Sequence, residues 1–125
     1  MSETCRRKLE GMGLSTVRIS GVDRYETSAK AAEYCASSGV GLDASCISVA
    51  VGNNYPDALI AGPITANNGS VLILCHSKVK NWSVCLRWAA SHKEEIAACG
   101  YRFCLFGSEG VVSRAAKELL LASVA

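Results

Sequence analysis

Apolar positions along the chain alternate between a strand-like and a helix-like period. Four short β-prone runs occur at 17–20, 46–51, 71–75 and 102–106, and each is followed by turn residues and a helical pattern. Two of these runs lack polar alternation, which indicates strands that are buried on both faces of a sheet. The strand–helix unit, repeated four times, therefore predicts an open, mostly parallel α/β sheet.

Three of the helical stretches have one apolar face, at 28–35, 85–96 and 112–120. The fourth, from Pro56 to Asn67, is apolar on nearly all sides and contains Gly62-Pro63, so we expect a buried helix that kinks at the proline. Residues 1–15 fit neither period and are expected to be a tail or linker. Residues 16–125 then form a single α/β module.

Composition narrows the class of protein. The chain has 125 residues, is 50% hydrophobic and carries a formal charge of +2, which fits one soluble globular domain that needs no metal or disulfide framework. No basic run appears, so we expect no nucleic-acid partner. No apolar segment approaches the roughly 20 residues of a transmembrane segment. The amino terminus lacks the apolar core of a signal peptide, so we expect no export unless the chain is a piece of a longer protein.

The seven cysteines form an odd set without a Cys-x-x-Cys pair. This pattern indicates neither a zinc site nor a disulfide framework, and no cofactor is expected. We expect most of them to be buried thiols that act as small hydrophobic residues. Such thiols suit a reducing compartment or an anaerobic surface.

The loops that leave the carboxyl ends of parallel strands share one edge of a sheet, where ligands bind. In the first loop, Asp23 and Glu26 form a capping box: Asp23 should accept from the Glu26 amide, and Glu26 should reach back to the Asp23 amide. The two residues between them, Arg24 and Tyr25, remain for outward recognition. Alternatively, Arg24 pairs with an acidic residue of a neighbouring loop, either Asp57 or Glu109.

Catalysis has little support in the sequence. Asp57 lies in the first turn of a helix, where a carboxylate is stabilised without any ligand, and no nucleophile or metal-ligand spacing accompanies it. The glycine fingerprint of nucleotide-binding loops is missing. The helix N-termini together with Arg24, Lys78 and Lys80 suit an anion such as phosphate or carboxylate. A small α/β enzyme or a nucleotide- or phosphosugar-binding domain, using Asp57, His76 and Glu109, is the alternative.

Three segments together closely resemble the signature blocks of the cell wall binding repeat 2 family. They are Arg18-Ile-Ser-Gly-Val-Asp-Arg-Tyr-Glu-Thr-Ser28, Val51-Gly-Asn-Asn-Tyr-Pro-Asp-Ala-Leu59 and Leu105-Phe-Gly-Ser-Glu-Gly-Val-Val-Ser113. The resemblance covers about residues 17–122. It departs from the family pattern at Ser70, where a proline is common, and at Ser108, where a second glycine is common.

The resemblance implies a Rossmann-like, three-layer α/β fold with helices on both faces of a mostly parallel sheet. It also implies a non-enzymatic module of Gram-positive surface and S-layer proteins that binds an anionic cell-wall polymer, usually as one of three copies. A lone copy is then expected to form a trimer or another oligomer, or to have neighbouring modules. Carried over by position, the expected polymer-binding residues are Asp23, Arg24, Tyr25, Asn54, Asp57, Glu109 and Ser113, with Arg24 as the main contact. An intracellular interaction module that lost the polymer is a third possibility.

Overall fold

The computed structural model describes residues 2–37, 40–53, 55–100 and 102–125. Six α-helices, three strands and one short 3-10 turn make up this part of the chain, in the order α1 Glu3–Gly11, α2 Arg24–Ser37, β1 Asp43–Val51, α3 Pro56–Asn67, β2 Ser70–Cys75, the 3-10 turn Val79–Asn81, α4 Ser83–Ser91, α5 Lys93–Ala98, β3 Arg102–Phe106 and α6 Arg114–Val124. The strands form one parallel sheet in the order β2-β1-β3. The predicted α/β class with a parallel sheet flanked by helices is confirmed.

The predicted first strand, at 17–20, is wrong. This segment has no regular secondary structure and no strand partner in the described part of the chain, and it lies beside α2, where Lys30 Nζ donates to the Ser20 carbonyl over 3.1 Å. Its valine, Val17, is 58% exposed. A β-prone run becomes a strand only when a ladder partner is available, and here α2 takes the place of that partner.

One face of the sheet carries the main hydrophobic core. Alternate residues of β1 (Ile47, Val49 and Val51) point into it together with their register partners on β2. Helices α4 and α5 pack on this face, α6 packs on α4 and α5, and α2 packs along β2 and α4. The largest fully buried side chains of these helices and of the preceding turn are Trp82, Ile96, Leu120 and Val124.

On the opposite face, β1 contributes the small residues Ser48 and Ala50, and α3 packs there, mainly on β1 and β2. Ser48 and Ser70 are buried there, with 3.4 Å between their hydroxyl oxygens, and Ser70 Oγ donates to the Thr65 carbonyl of α3. These small side chains let the helix approach the sheet closely. The two faces of the sheet therefore differ in size and polarity.

Helix α3 has the predicted bounds, but the expectation that it is buried is wrong for this chain. Only Ala61 and Thr65 are buried. Leu59, Ile60 and Ile64 are 67%, 62% and 44% exposed. The helix is apolar on both sides because of its sequence, yet within the chain only one side meets the sheet.

One further helical expectation differs from the structure. The helix predicted at 85–96 is two helices, because His92 leaves helical geometry between them (φ −110°, ψ 19°). Its ring stacks on Trp88, and its Nε2 contacts a Glu33 carboxylate oxygen at 2.8 Å. Residues Glu3–Gly11, expected in a tail or linker, form a helix that buries none of its residues and is joined to Arg18 by a 2.9 Å ion pair from Glu3.

The expectation that most cysteines are buried is also wrong. Only Cys75 and Cys85 are buried, and burial raises the pKa of each thiol to about 12. Cys5 and Cys99 are exposed, and the remaining three are half-buried. All seven are free thiols. The strand positions predicted for Cys46, Cys75 and Cys104 are confirmed.

Candidate functional site

The first loop at the carboxyl edge of the sheet is organised by the start of α2. Asp23 Oδ1 accepts from the Glu26 amide over 2.8 Å, as the capping box predicts. The return bond differs from the prediction, because Glu26 Oε2 accepts from the amide of Val22 rather than from that of Asp23. This bond and the neighbouring Lys30 hold the pKa of Glu26 below its ordinary value.

Arg24 connects this loop to the end of β1. Its guanidinium Nη1 donates to the Gly52 carbonyl over 2.8 Å. The alternative pairing of Arg24 with Asp57 or Glu109 is therefore replaced by a bond to the backbone. A guanidinium has five N–H donors, and no other described residue accepts from this one. The side chain is exposed, so its remaining donors face solvent.

Tyr25 lies half-buried between the loops that follow β1 and β2. Its ring centroid is 5.8 Å from that of His76. A Cβ added to Gly52 would lie 3.1 Å from Tyr25 Cε1 and 3.2 Å from Leu74 Cβ. The Tyr25 ring and Leu74 thus pack closely against the backbone at position 52, and a larger residue there would require one of them to shift.

Side-chain and backbone bonds tie the loops after β1 and β2 together. Asn53 and Ser77 exchange two hydrogen bonds, Asn53 Nδ2 to Ser77 Oγ and the Ser77 amide to Asn53 Oδ1, over 3.1 and 2.9 Å. His76 Nδ1 accepts from the Lys78 amide. Neither Asn53 nor Ser77 was predicted from the sequence as a site residue. Their positions could have indicated them, because each lies two residues after the last residue of a parallel strand.

Asp57 connects the loops after β1 and β3. A Cβ added to Gly107 would lie 3.2 Å from Asp57 Oδ2 and 3.1 Å from Val111 Cγ1, and Gly107 has φ +132°. Only glycine adopts this conformation readily. The carboxylate therefore rests against the β3 loop, in the first turn of α3.

The loop after β3 leads into a cleft of about 490 Å³ beside α6. Glu109 and Ser113 line this cleft, and Ser113 Oγ also caps α6 by accepting from the Ala116 amide over 3.3 Å. Arg114 and Lys117, which the sequence analysis missed, line the cleft as well. A basic pair spaced i, i+3 directly after the third block was the available signal.

The structure thus brings the described members of the predicted set to one edge of the sheet. From β2 through β1 to β3, Tyr25 lies beside His76, Arg24 bonds to Gly52, and Asp57 lies against Gly107. Glu109 and Ser113 follow in the loop after β3. The predicted Asn54 lies outside the described residues. Among the described residues, no group of three or more His, Cys, Asp or Glu side chains is placed to hold a metal. Asp57, His76 and Glu109 belong to three separate loops, and His76 Nδ1 already accepts from a backbone amide.

Comparison with known protein families shows to which family the chain belongs. A family model described as cell wall binding domain 2 matches residues 18–117. The chain belongs to this family. The match begins at Arg18, runs through all three loops of the carboxyl edge and ends in α6. No curated protein and no solved structure shows significant similarity to the chain.

Membership in the cell wall binding domain 2 family supports a cell wall binding role and a location at the cell surface or wall. The family is one of binding modules rather than of enzymes. Among the helices in the described part of the chain, none has the length and apolarity that crossing a membrane requires.

Proposed function

We propose that this module anchors its parent protein non-covalently by binding an anionic cell-wall polymer at the carboxyl edge of the sheet. It acts as one of three copies, in surface or S-layer proteins of Gram-positive bacteria. The observation that carries the proposal is Arg24, an exposed guanidinium that one backbone bond holds at the centre of this edge.

The chemistry of Arg24 fits a polyanion. A guanidinium presents a planar set of donors that matches phosphate and carboxylate oxygens in a bidentate manner. Its bond to the Gly52 carbonyl fixes the side chain and leaves the other donors toward solvent, so little rotamer freedom is lost on binding. Lys78 and Lys80 are exposed in the loop after β2 and add positive charge on the same edge.

The other predicted residues support this contact in different ways. Asp23 and Ser113 begin α2 and α6 as helix caps, with Asp23 Oδ1 and Ser113 Oγ each accepting from a backbone amide of its own helix. The Asp57 carboxylate lies against Gly107 of the β3 loop. Tyr25 supports the loop beside Arg24, and Glu109 is exposed at the mouth of the α6 cleft. We therefore assign direct polymer contact to Arg24 and positioning to Asp23, Asp57 and Tyr25.

The proposed use of three copies follows from the modest charge of each one. A module with a formal charge of +2 and one well-presented guanidinium binds a repeating polyanion weakly. Linking copies raises the effective affinity without new contacts. The exposed apolar side of α3 gives a surface on which further copies can pack, since a helix that is apolar on both sides is usually covered on both.

The residue-level test is Arg24→Glu, measured by co-sedimentation of the purified chain with Gram-positive cell walls. We expect the variant to lose wall binding, because the substitution places a carboxylate opposite the polymer's own negative charge. The matched control is Lys93→Glu, which makes the same change of charge at an exposed position in α5, away from the carboxyl edge. This control should bind as the unmodified chain does.

Circular dichroism and thermal melting verify that both variants fold. Equal losses in the two variants would indicate only bulk electrostatics. Unchanged binding by a folded Arg24→Glu variant would remove Arg24 from the proposed site.

A further inference from the structure

The sheet has two edge strands, and only one of them is covered. At the β2 edge, helix α2 packs along the strand, and the Leu74 amide donates to Ser28 Oγ over 3.0 Å. At the other edge, the backbone groups of β3 make no hydrogen bond to the described residues beyond the ladder with β1. No residue of β3 is buried, whereas most residues of β1 and β2 are. The outer side of β3 therefore presents unpaired backbone groups.

This free edge lacks the features by which edge strands usually avoid pairing. Such features are lysine, proline, a β-bulge or a covering helix. The strand Arg102–Phe106 contains neither lysine nor proline, and its register with β1 is unbroken. The 490 Å³ cleft is lined by Leu105 of β3 and by Leu121 of α6, so α6 does not close over the strand. The edge is thus suited to receive a further strand.

The run at residues 17–20 has the composition of a strand and no ladder of its own. Val17 and Ile19 are β-branched, and their backbone groups make no hydrogen bond to the described residues. Alternate residues of a strand direct their backbone groups to the same side, so Val17 and Ile19 can pair together with one neighbouring strand. Arg18, between them, is paired with Glu3. With four residues, the run matches the five of β3 in length.

Within one module, the run lies far from the edge that it fits. It lies beside α2, where Lys30 Nζ donates to the Ser20 carbonyl, and α2 packs along β2. In the strand order β2-β1-β3, the free edge is at the opposite side of the sheet. The run and the edge can therefore meet only between copies, in a head-to-tail manner. Contacts of this kind close into a ring when the rotation between copies allows it.

We propose that the run at 17–20 of one copy adds a fourth, parallel strand to the β3 edge of the next copy. Main-chain hydrogen bonds give such strand addition its affinity. The parallel sense directs the loop after the run to the carboxyl edge, beside the β3 loop of the receiving copy. Arg24 of one copy then lies next to Glu109 of the next, and their opposite charges favour this sense. The shared site that results rests on the proposed polymer binding, whereas the strand pairing does not.

Ile19→Pro tests the pairing, because proline removes a ladder donor. No described residue accepts from the Ile19 amide, so the variant should fold, which circular dichroism and thermal melting verify. We expect the unmodified chain to self-associate, with amide hydrogen exchange at 102–106 slowing as its concentration rises. Ile19→Pro should stay monomeric by light scattering and exchange rapidly there. Ser15→Pro, just before the run, is the matched control and should associate as the unmodified chain does.

A synthetic peptide of residues 16–22 gives a readout that does not depend on the folding of a variant. Added to the unmodified chain at a dilution where it is monomeric, the peptide should slow exchange at 102–106. The same peptide with Ile19→Pro should not. A chain that is monomeric at every concentration, association that survives Ile19→Pro, or association without protection of 102–106 would each overturn the proposal. These measurements use no cell wall, so their failure is distinct from a failure of polymer binding.

Charge reversal tests the parallel sense and the shared site. Glu109→Lys places a positive charge beside Arg24 of the next copy, so we expect it to weaken self-association roughly tenfold. Glu94→Lys makes the same change at an exposed position of α5 and should leave association as it is. Equal association of the two variants would overturn the parallel sense and, with it, the shared site.

Discussion

Gly21 and Gly62 lie in opposite steric environments, and this difference predicts opposite effects of one substitution. A Cβ at Gly21 would lie 2.6 Å from Glu26 Cβ and 2.7 Å from the Thr27 amide nitrogen, whereas a Cβ at Gly62 meets nothing within 4 Å. We expect Gly21→Ala to lower the free energy of unfolding by about 1–3 kcal/mol through overpacking. Gly62→Ala, inside α3, should raise it by about 0.5–1 kcal/mol.

Urea denaturation of the two alanine variants measures both effects. A Gly21→Ala variant as stable as the unmodified chain would contradict the close approach of the first loop to α2. A Gly62→Ala variant that loses stability would show that α3 approaches another surface at this position.

Glu26 makes the stability of the start of α2 depend on pH. The Val22 amide and Lys30 lower the pKa of Glu26 in the folded state below its ordinary 4.5. A lowered pKa contributes stability that is present above the ordinary value and is lost as the pH falls through the folded-state value. Glu26→Gln removes this contribution, so the difference in unfolding free energy between the chain and the variant should shrink as the pH falls below about 4.5.

Denaturation curves at several pH values measure this difference. Because each comparison is made at one pH, the other carboxylates cancel to first order. A difference that stays constant from neutral pH to well below 4.5 would contradict the role given to Glu26.

At the scale of elements, α3 should mediate contact between copies of the module. Leu59→Asp places a charge in the middle of its exposed apolar side, and we expect the variant to be monomeric under conditions where the unmodified chain self-associates. Leu119→Asp makes the same change at an exposed leucine of α6, 44% exposed, and should leave association intact. Light scattering coupled to size-exclusion chromatography measures the mass of each. Association that survives Leu59→Asp would exclude this side of α3.

The elements also show how far a sequence can predict this fold. The strand runs at 46–51, 71–75 and 102–106 and the bounds of α3 were predictable because each has a strong local period or a clear terminal signal. The false strand at 17–20 has the same local signal, and only the tertiary position of α2 prevents it from pairing. The break at His92 depends on its contacts with Trp88 and Glu33, the latter from a helix distant in sequence.

The candidate site, like the fold, has features that the sequence predicts and features that it does not. The Asp23 cap follows from spacing alone, so the sequence predicts it, and the parallel sheet brings the loops after β1, β2 and β3 to one edge. The bond from Arg24 to Gly52 joins residues 28 positions apart through a backbone carbonyl, which no side-chain pattern announces. The exposure of α3 was unpredictable for a further reason: an apolar helix indicates burial but does not say whether its own chain supplies the cover.

For the whole molecule, the central claim is that the module binds cell walls through their anionic polymer. Family membership supports the wall as the target, and the arrangement at Arg24 supports an anion as the ligand. Salt should weaken such binding, since the contact is electrostatic and partly exposed.

Co-sedimentation of the purified chain with Gram-positive cell walls, before and after acid extraction of their anionic polymers, tests this claim most directly. We expect the chain to pellet with intact walls and to stay in the supernatant with extracted walls. Equal binding to both preparations would exclude the anionic polymer as the ligand, because the chain would then bind a wall component that extraction leaves behind.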